Sequence, residues 1–139
     1  MTTLKIDLDD LIMALSARYE LDDPSHYMDA LTGRVIYAGE GHEDLPADLS
    51  TNPRYRWIEA VEGEEAVGIM ERFAAQLPDV DSAARLHKAL SEDEPMEAFM
   101  ECLLSLSFAR DAWFVFQHAA YTQLAQDWCK AQGIQPEWI

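Results

Sequence analysis

The stretch His26-Tyr27-Met28-Asp29-Ala30-Leu31-Thr32-Gly33-Arg34-Val35-Ile36-Tyr37-Ala38 separates a mixed fold from an all-helical one. Two runs, near residues 26–30 and 34–38, flank Leu31-Thr32-Gly33 and bring the aromatic and β-branched residues that suit a pleated, half-buried surface. Gly33 can take the left-handed backbone conformation that closes a bulged turn, so the pattern is that of a β-hairpin. A lone hairpin is marginal in water and needs a further strand. Tyr55-Arg56-Trp57-Ile58-Glu59-Ala60-Val61 has the composition to supply it. Between them, 39–53 is polar and carries Gly, Pro and Asn, the mark of a surface loop.

Working outward, the pattern becomes helical on both sides. Asp7 suits an N-cap, and Leu8, Leu11, Ile12 and Leu15 follow at helical spacing, with Asp9 and Asp10 in the first turn where the helix dipole favours them. That helix is expected to end in Glu20–Pro24. Downstream, Val67, Met70, Phe73, Ala74 and Leu77 mark one face of a helix over 64–77, stopped by Pro78. A shorter helix over 82–90 is expected to be capped by Asp81 or Ser82. Pro95 suits the first turn of the next, whose stripe is Met96, Phe99, Met100, Leu103 and Leu106. The last helix is expected to start at Asp111 and stop at Gly133. Its core arc comprises Trp113, Phe114, Ala120, Tyr121, Leu124, Ala125 and Trp128, with Gln117 in the middle. The expected fold class is therefore α+β: an N-terminal helix, a small antiparallel three-stranded sheet, and a helical C-terminal half of about four helices. With neither repeats nor low-complexity tracts, residues 1–139 read as one acidic domain.

Charge is the unusual quantity. Twenty-six Asp and Glu face ten Lys and Arg, a formal net charge of −16, yet 49% of residues are hydrophobic. That hydrophobic share is enough for a core and unlike a disordered acidic tail. Residues 1–101 hold 23 of the acids and 8 of the bases, so the field arises almost wholly there. Such a field opposes direct binding to nucleic acid or an anionic membrane and favours a protein with a basic surface. Cys102 and Cys129 lie in helical runs and read as free structural thiols. The start MTTLKIDLDD places acids where a signal peptide has its apolar core, and no apolar run approaches ~20 residues. A reduced, cytoplasmic setting is expected.

The order of these features, from IDLDDLIMAL through YMDALTGRVIY and IMERFAAQL to W-F-V-F…L-A-Q-D-W…G-I-Q-P, resembles a family of uncharacterised small bacterial proteins. Its members share a D-x-x-T-G hairpin, here Asp29 to Gly33, and a W-x-x-F…W terminal helix, here Trp113, Phe116 and Trp128. The resemblance spans roughly Ile6 to Pro136 and implies a fold and no activity. It also implies a basic, Phe-rich stretch ahead of the terminal helix. The matching stretch here, Pro95 to Leu103, keeps Phe99 but carries Glu97 and Glu101 and no base. A contact made by basic residues in relatives would be lost or reversed in sign.

No catalytic or metal-binding motif emerges. His26, His42, His87 and His118 stand in no known ligand spacing; His42-Glu43-Asp44 is the best local cluster and reads as a solvated loop in preference to a metal site. Ser25 and His26 would point to opposite sides of a strand. Cys102 would be a nucleophile only with His26, His87 or His118 in reach. Gly39-Glu40-Gly41 lacks the rest of a phosphate loop. No metal, cofactor or catalytic residue is expected. Arg54-Tyr55-Arg56-Trp57 could stack a base, though an outward strand face explains it as well. What remains is Glu92, Asp93, Glu94, Glu97 and Glu101, the candidate binding residues, since acids three and four apart share a helix face. Three functions follow: a non-enzymatic interaction protein for a basic protein surface, a mimic of nucleic acid that blocks a DNA- or RNA-binding protein, or an enzyme with an unrecognised site. Phe116 or Trp138, if exposed, could form a two-fold contact.

Overall fold

The computed structural model describes residues 1–17, 26–38 and 45–139. The segment Glu20–Pro24, Ser25, Gly39-Glu40-Gly41 and His42-Glu43-Asp44 lie outside these described residues; the first helix, expected to run to Glu20–Pro24, ends earlier, at Ser16, where Ala17 is extended. The rest falls into two compact units, residues 1–61 with 121–139, and residues 62–120.

In the first unit, α1 (Leu8–Ser16) starts at Asp7, whose Oδ1 accepts the Asp10 N–H at 3.1 Å as expected of an N-cap. Leu11, Ala14 and Leu15 form its buried face. β2 (His26–Asp29), β3 (Val35–Tyr37) and β4 (Tyr55–Ile58) make the antiparallel sheet, in the order β3-β2-β4. Pairs His26↔Ile58 and Met28↔Val35 share one face, on which His26, Met28 and Ile58 are buried.

The hairpin turn is built on Asp29. Its carbonyl accepts the Gly33 N–H at 2.8 Å, and its Oδ1 accepts the Leu31 N–H at 2.9 Å. Arg54 then closes on the carboxylate with two bonds, Nε to Oδ1 at 2.9 Å and Nη2 to Oδ2 at 2.8 Å. The Arg54 hydrogen bond leads in holding this carboxyl at a pKa of about 2. Gly33 has φ +80°, and a Cβ there would collide with the Lys5 carbonyl oxygen. Only glycine lets the turn approach the N-terminal backbone so closely.

One element was not expected. β1 (Thr2–Ile6) pairs in parallel with β5 (Ile134–Trp138), from Thr2↔Ile134 to Ile6↔Trp138. Both strands are short, and β5 contains Pro136, which has no N–H and is tolerated only at an edge. Pairing between segments so far apart in sequence leaves no local signature. Trp138 thus belongs to a strand, and is half-buried.

The second unit holds α2 (Gly63–Gln76), α3 (Val80–Ala89), α4 (Pro95–Leu104) and the first part of α5 (Ser107–Ala131). Its centre is aromatic: Phe73 lies 5.3 Å from Trp113 and 6.3 Å from Phe99, ring centre to ring centre, and Phe99 lies 5.0 Å from Trp113. Three expectations need correction here. α3 begins after Asp79, and Ser82 is buried, donating its hydroxyl to Asp79 Oδ2 at 2.7 Å. α5 begins at Ser107, so Asp111 lies inside the helix and caps nothing; the Arg110 N–H already reaches the Leu106 carbonyl at 3.0 Å. Phe114 is 53% exposed, while Phe116 takes the place beside the core, 5.4 Å from Phe73 and stacked on Trp113 at 6.4 Å. A half-buried Phe116 leaves little for a two-fold contact.

Candidate functional site

The five candidate acids meet on one groove. Burial of Phe99 and Leu103 against the aromatic centre fixes how α4 is rolled, and the opposite side faces outward. Glu94, Glu97 and Glu101 follow at spacings of three and four, a stripe running ~10 Å along the helix at 1.5 Å per residue. Glu92 and Asp93 come from the turn before it, which is tied back to α3 by Ser91 N–H to Lys88 carbonyl at 3.1 Å and Glu92 N–H to Ala89 carbonyl at 3.1 Å. Pro95 opens α4 in its first turn, where its missing N–H costs no helical bond.

The groove has a volume of ≈ 850 Å³ and runs between α3 and α4. The α4 side and the turn supply Glu92, Asp93, Glu94, Glu97 and Glu101; Arg85 and Lys88 stand on α3; Ala89, Ala98 and Cys102 fill in between. Arg85 Nη2 donates to Ser105 Oγ at 3.2 Å, which links α3 to the end of α4. Neither Arg85 nor Lys88 forms an ion pair within 4.0 Å with these five carboxylates. Glu97 shares a hydrogen bond with Glu94, which raises its pKa above the ordinary carboxylate value, and the Glu94 charge adds to the effect. The arrangement lines one wall of the groove with carboxylates, a surface suited to cations.

Arg85, Lys88 and Cys102 were not expected at this site. Arg85 and Lys88 lie three apart on α3, a pattern visible in the sequence, but only the α3–α4 packing sets them opposite the acids.

The other candidates are accounted for by structure. Arg54 is committed to Asp29, and Arg56 donates to the Pro53 carbonyl at 2.8 Å and to Gln132 Oε1 at 3.3 Å. Both guanidiniums are thus engaged in hydrogen bonds within the first unit. His26 is buried, 5.0 Å from the Tyr37 ring, and burial lowers its pKa. His87 and His118 are exposed, and the groove holding Cys102 is lined by no histidine. Cys129 is buried, which pushes its thiol up to about 11. Among the described residues, no group of three His, Cys, Asp or Glu side chains is placed to hold a metal ion, and no helix is long and apolar enough to cross a membrane.

Comparison with known proteins gives a family without an assigned role. The model of UPF0158, an uncharacterised protein family, matches residues 1–138. A UPF0158 protein of Pseudomonas aeruginosa is 29% identical over 141 residues, covering 98% of this chain and 88% of its own length. No solved structure matches.

Proposed function

This chain belongs to the uncharacterised protein family UPF0158, and on that footing we propose that it is a non-enzymatic interaction protein whose α3–α4 groove receives a Lys- or Arg-rich segment of another protein. The observation that carries the proposal is the gathering of Glu92, Asp93, Glu94, Glu97 and Glu101 on one groove with no ion pair to the two cations opposite. Unpaired carboxylates crowded together repel one another, and the Glu94 hydrogen bond and charge that raise the Glu97 pKa reflect that crowding. A cationic segment relieves that repulsion and gains a charge-assisted bond at each carboxylate.

Arg85 and Lys88 weigh against a nucleic-acid mimic, because a surface that imitates phosphates gains nothing from cations beside them. The carboxyl pair favours a second, catalytic reading, in which protonated Glu97 is a general acid. Solvent exposure of both carboxyls and the lack of a groove histidine place it behind the first.

The test is fluorescence anisotropy with a labelled Lys/Arg-rich decapeptide. Removing Glu97 and Glu101 together, as Gln, should weaken binding by roughly 2- to 30-fold, since each exposed pair contributes ~0.2–1 kcal/mol. Glu59→Gln with Glu137→Gln changes net charge equally, at residues that do not line the groove, and should have little effect. Raising salt from 50 to 300 mM should weaken binding to the unaltered chain. Equal losses in both double variants would reduce the effect to bulk charge and end the proposal.

A further inference from the structure

The outer face of α5 within the second unit carries Phe108, Ala112, Val115 and Ala119. Phe108 is 56% and Val115 74% exposed, and both alanines are exposed. Their spacing of four, three and four residues is the 3.5-residue repeat by which one helix presents a continuous seam to another. Large and small residues alternate along it. This stretch is also nearly free of charge in a chain of net charge −16: Ser107 to Ala120 contains one acid, Asp111, and one base, Arg110.

We propose that this seam pairs with the same seam of a second copy, antiparallel, about a two-fold axis passing between Trp113 and Phe114. A two-fold at that point sets Phe108 opposite Ala119 of the second copy and Val115 opposite Ala112 of the second copy, each in both directions. Every large side chain then meets a small one, and the alanines let the helices approach closely. A parallel pair would set Phe108 on Phe108 and leave the alanines facing a gap. The flank is complementary in hydrogen bonding as well. Asp111 and His118 are seven residues apart on the same side of the seam, and in the antiparallel pair each Asp111 carboxylate crosses His118 of the second copy. Phe114, 53% exposed, lies just outside that crossing.

The area sets the strength. The exposed parts of Phe108 and Val115, with the two exposed alanines, leave on the order of 300 Å² for a partner. A stable interface takes roughly 800 Å² per side, so the dimer should be weak and seen at tens of micromolar and above. Two chains of net charge −16 repel, so salt should strengthen this contact, opposite to its effect on a basic segment in the groove.

Sedimentation equilibrium of the full chain from 5 to 200 µM, at 50 and 500 mM NaCl, reads the mass against the 15.8 kDa of one chain. The expected result is a mass rising toward twice that value, at lower protein concentration in the higher salt. Val115→Glu, at a position open to solvent and without a folding role, should hold the mass at one chain throughout, with unchanged circular dichroism and thermal midpoint. Ala119→Glu should do the same. Asp111→Lys should weaken the dimer at least threefold, and adding His118→Asp should restore it. A single-chain mass at 200 µM in 500 mM NaCl, or a Val115→Glu variant that associates like the unaltered chain, overturns the proposal. A charge exchange that fails to restore the dimer overturns the antiparallel pairing.

Discussion

Replacing Asp29 by Asn removes the charge on which the hairpin turn and Arg54 converge while leaving the shape of the side chain intact. Asn keeps an oxygen for the Leu31 N–H but loses the second acceptor, so the Arg54 Nη2 bond at 2.8 Å has no partner. The folded carboxyl titrates at about 2 against an ordinary 3.8. A displacement of that size corresponds to at most ~2.4 kcal/mol, at ~1.36 kcal/mol per unit. The Arg54 side chain is 41% exposed, so solvent screens the pair and the expected loss is ~1–2 kcal/mol. The sign follows from the lowered value: this contribution is complete above pH 3.8 and disappears as pH falls toward 2, roughly half of it by pH 3. Urea unfolding followed by circular dichroism at pH 7 and pH 3 measures it, provided the quantity taken is the difference between the unaltered chain and Asp29→Asn. That difference cancels the opposing trend from the other acids, whose mutual repulsion is relieved by protonation. It should be ~1–2 kcal/mol at pH 7 and about half as large at pH 3. Arg54→Leu should cost a similar amount, and the two losses should not add, since they remove one interaction. A difference that stays constant from pH 7 to pH 3, or losses that add fully, would falsify the assignment of the pair as the support of this turn.

Two further outcomes follow from single residues. Gly33→Ala places a Cβ against the Lys5 carbonyl oxygen at a positive φ and should cost at least ~2 kcal/mol, lowering the thermal midpoint by roughly 6 °C or more; an unchanged midpoint would mean that the turn does not lie against the N-terminal backbone. With Cys102 half-buried in the groove and Cys129 buried with its thiol at about 11, Ellman's reagent at pH 8 should modify one thiol of the native chain, at Cys102, and the second only on unfolding. Rapid reaction of both would contradict the burial of Cys129.

What the sequence made legible divides along the range of the interaction. The hairpin, the Asp7 cap and the Pro95 start are written in adjacent residues, and the structure has each of them. The parallel β1–β5 pair joins Thr2–Ile6 to Ile134–Trp138, and its strands hold a lysine, a glutamate and a proline, so neither alternation nor composition marks them. The start of α5 was misplaced because Asp111 has the chemistry of a cap, whereas the turn at Ser105 and Leu106 had already begun the helix. The exchange of Phe114 for Phe116 has a similar origin: a wheel assigns an arc, but Phe73 and Phe99 on other helices decide which side of α5 is covered. The acids of the groove could be picked from their spacing on α4; their cationic neighbours on α3 could not, because helix-to-helix packing brings them together.

The same distinction bears on what the net charge means. Residues 62–120 hold 12 acids and 4 bases, and the remaining residues hold 14 and 6, so each unit carries −8 and the total singles out neither. Local density does. Five of those 12 acids border one groove, while the Phe108–Ala119 seam of the same unit contains a single acid. With equal net charge on the two units, one dense pocket and one bare stripe, the two proposed contacts should respond to salt with opposite sign. Ionic strength therefore separates them in one preparation: a basic peptide should leave the groove over the same range in which the chains begin to pair. Salt trends of the same sign would mean that one of the two surfaces is not the contact proposed for it.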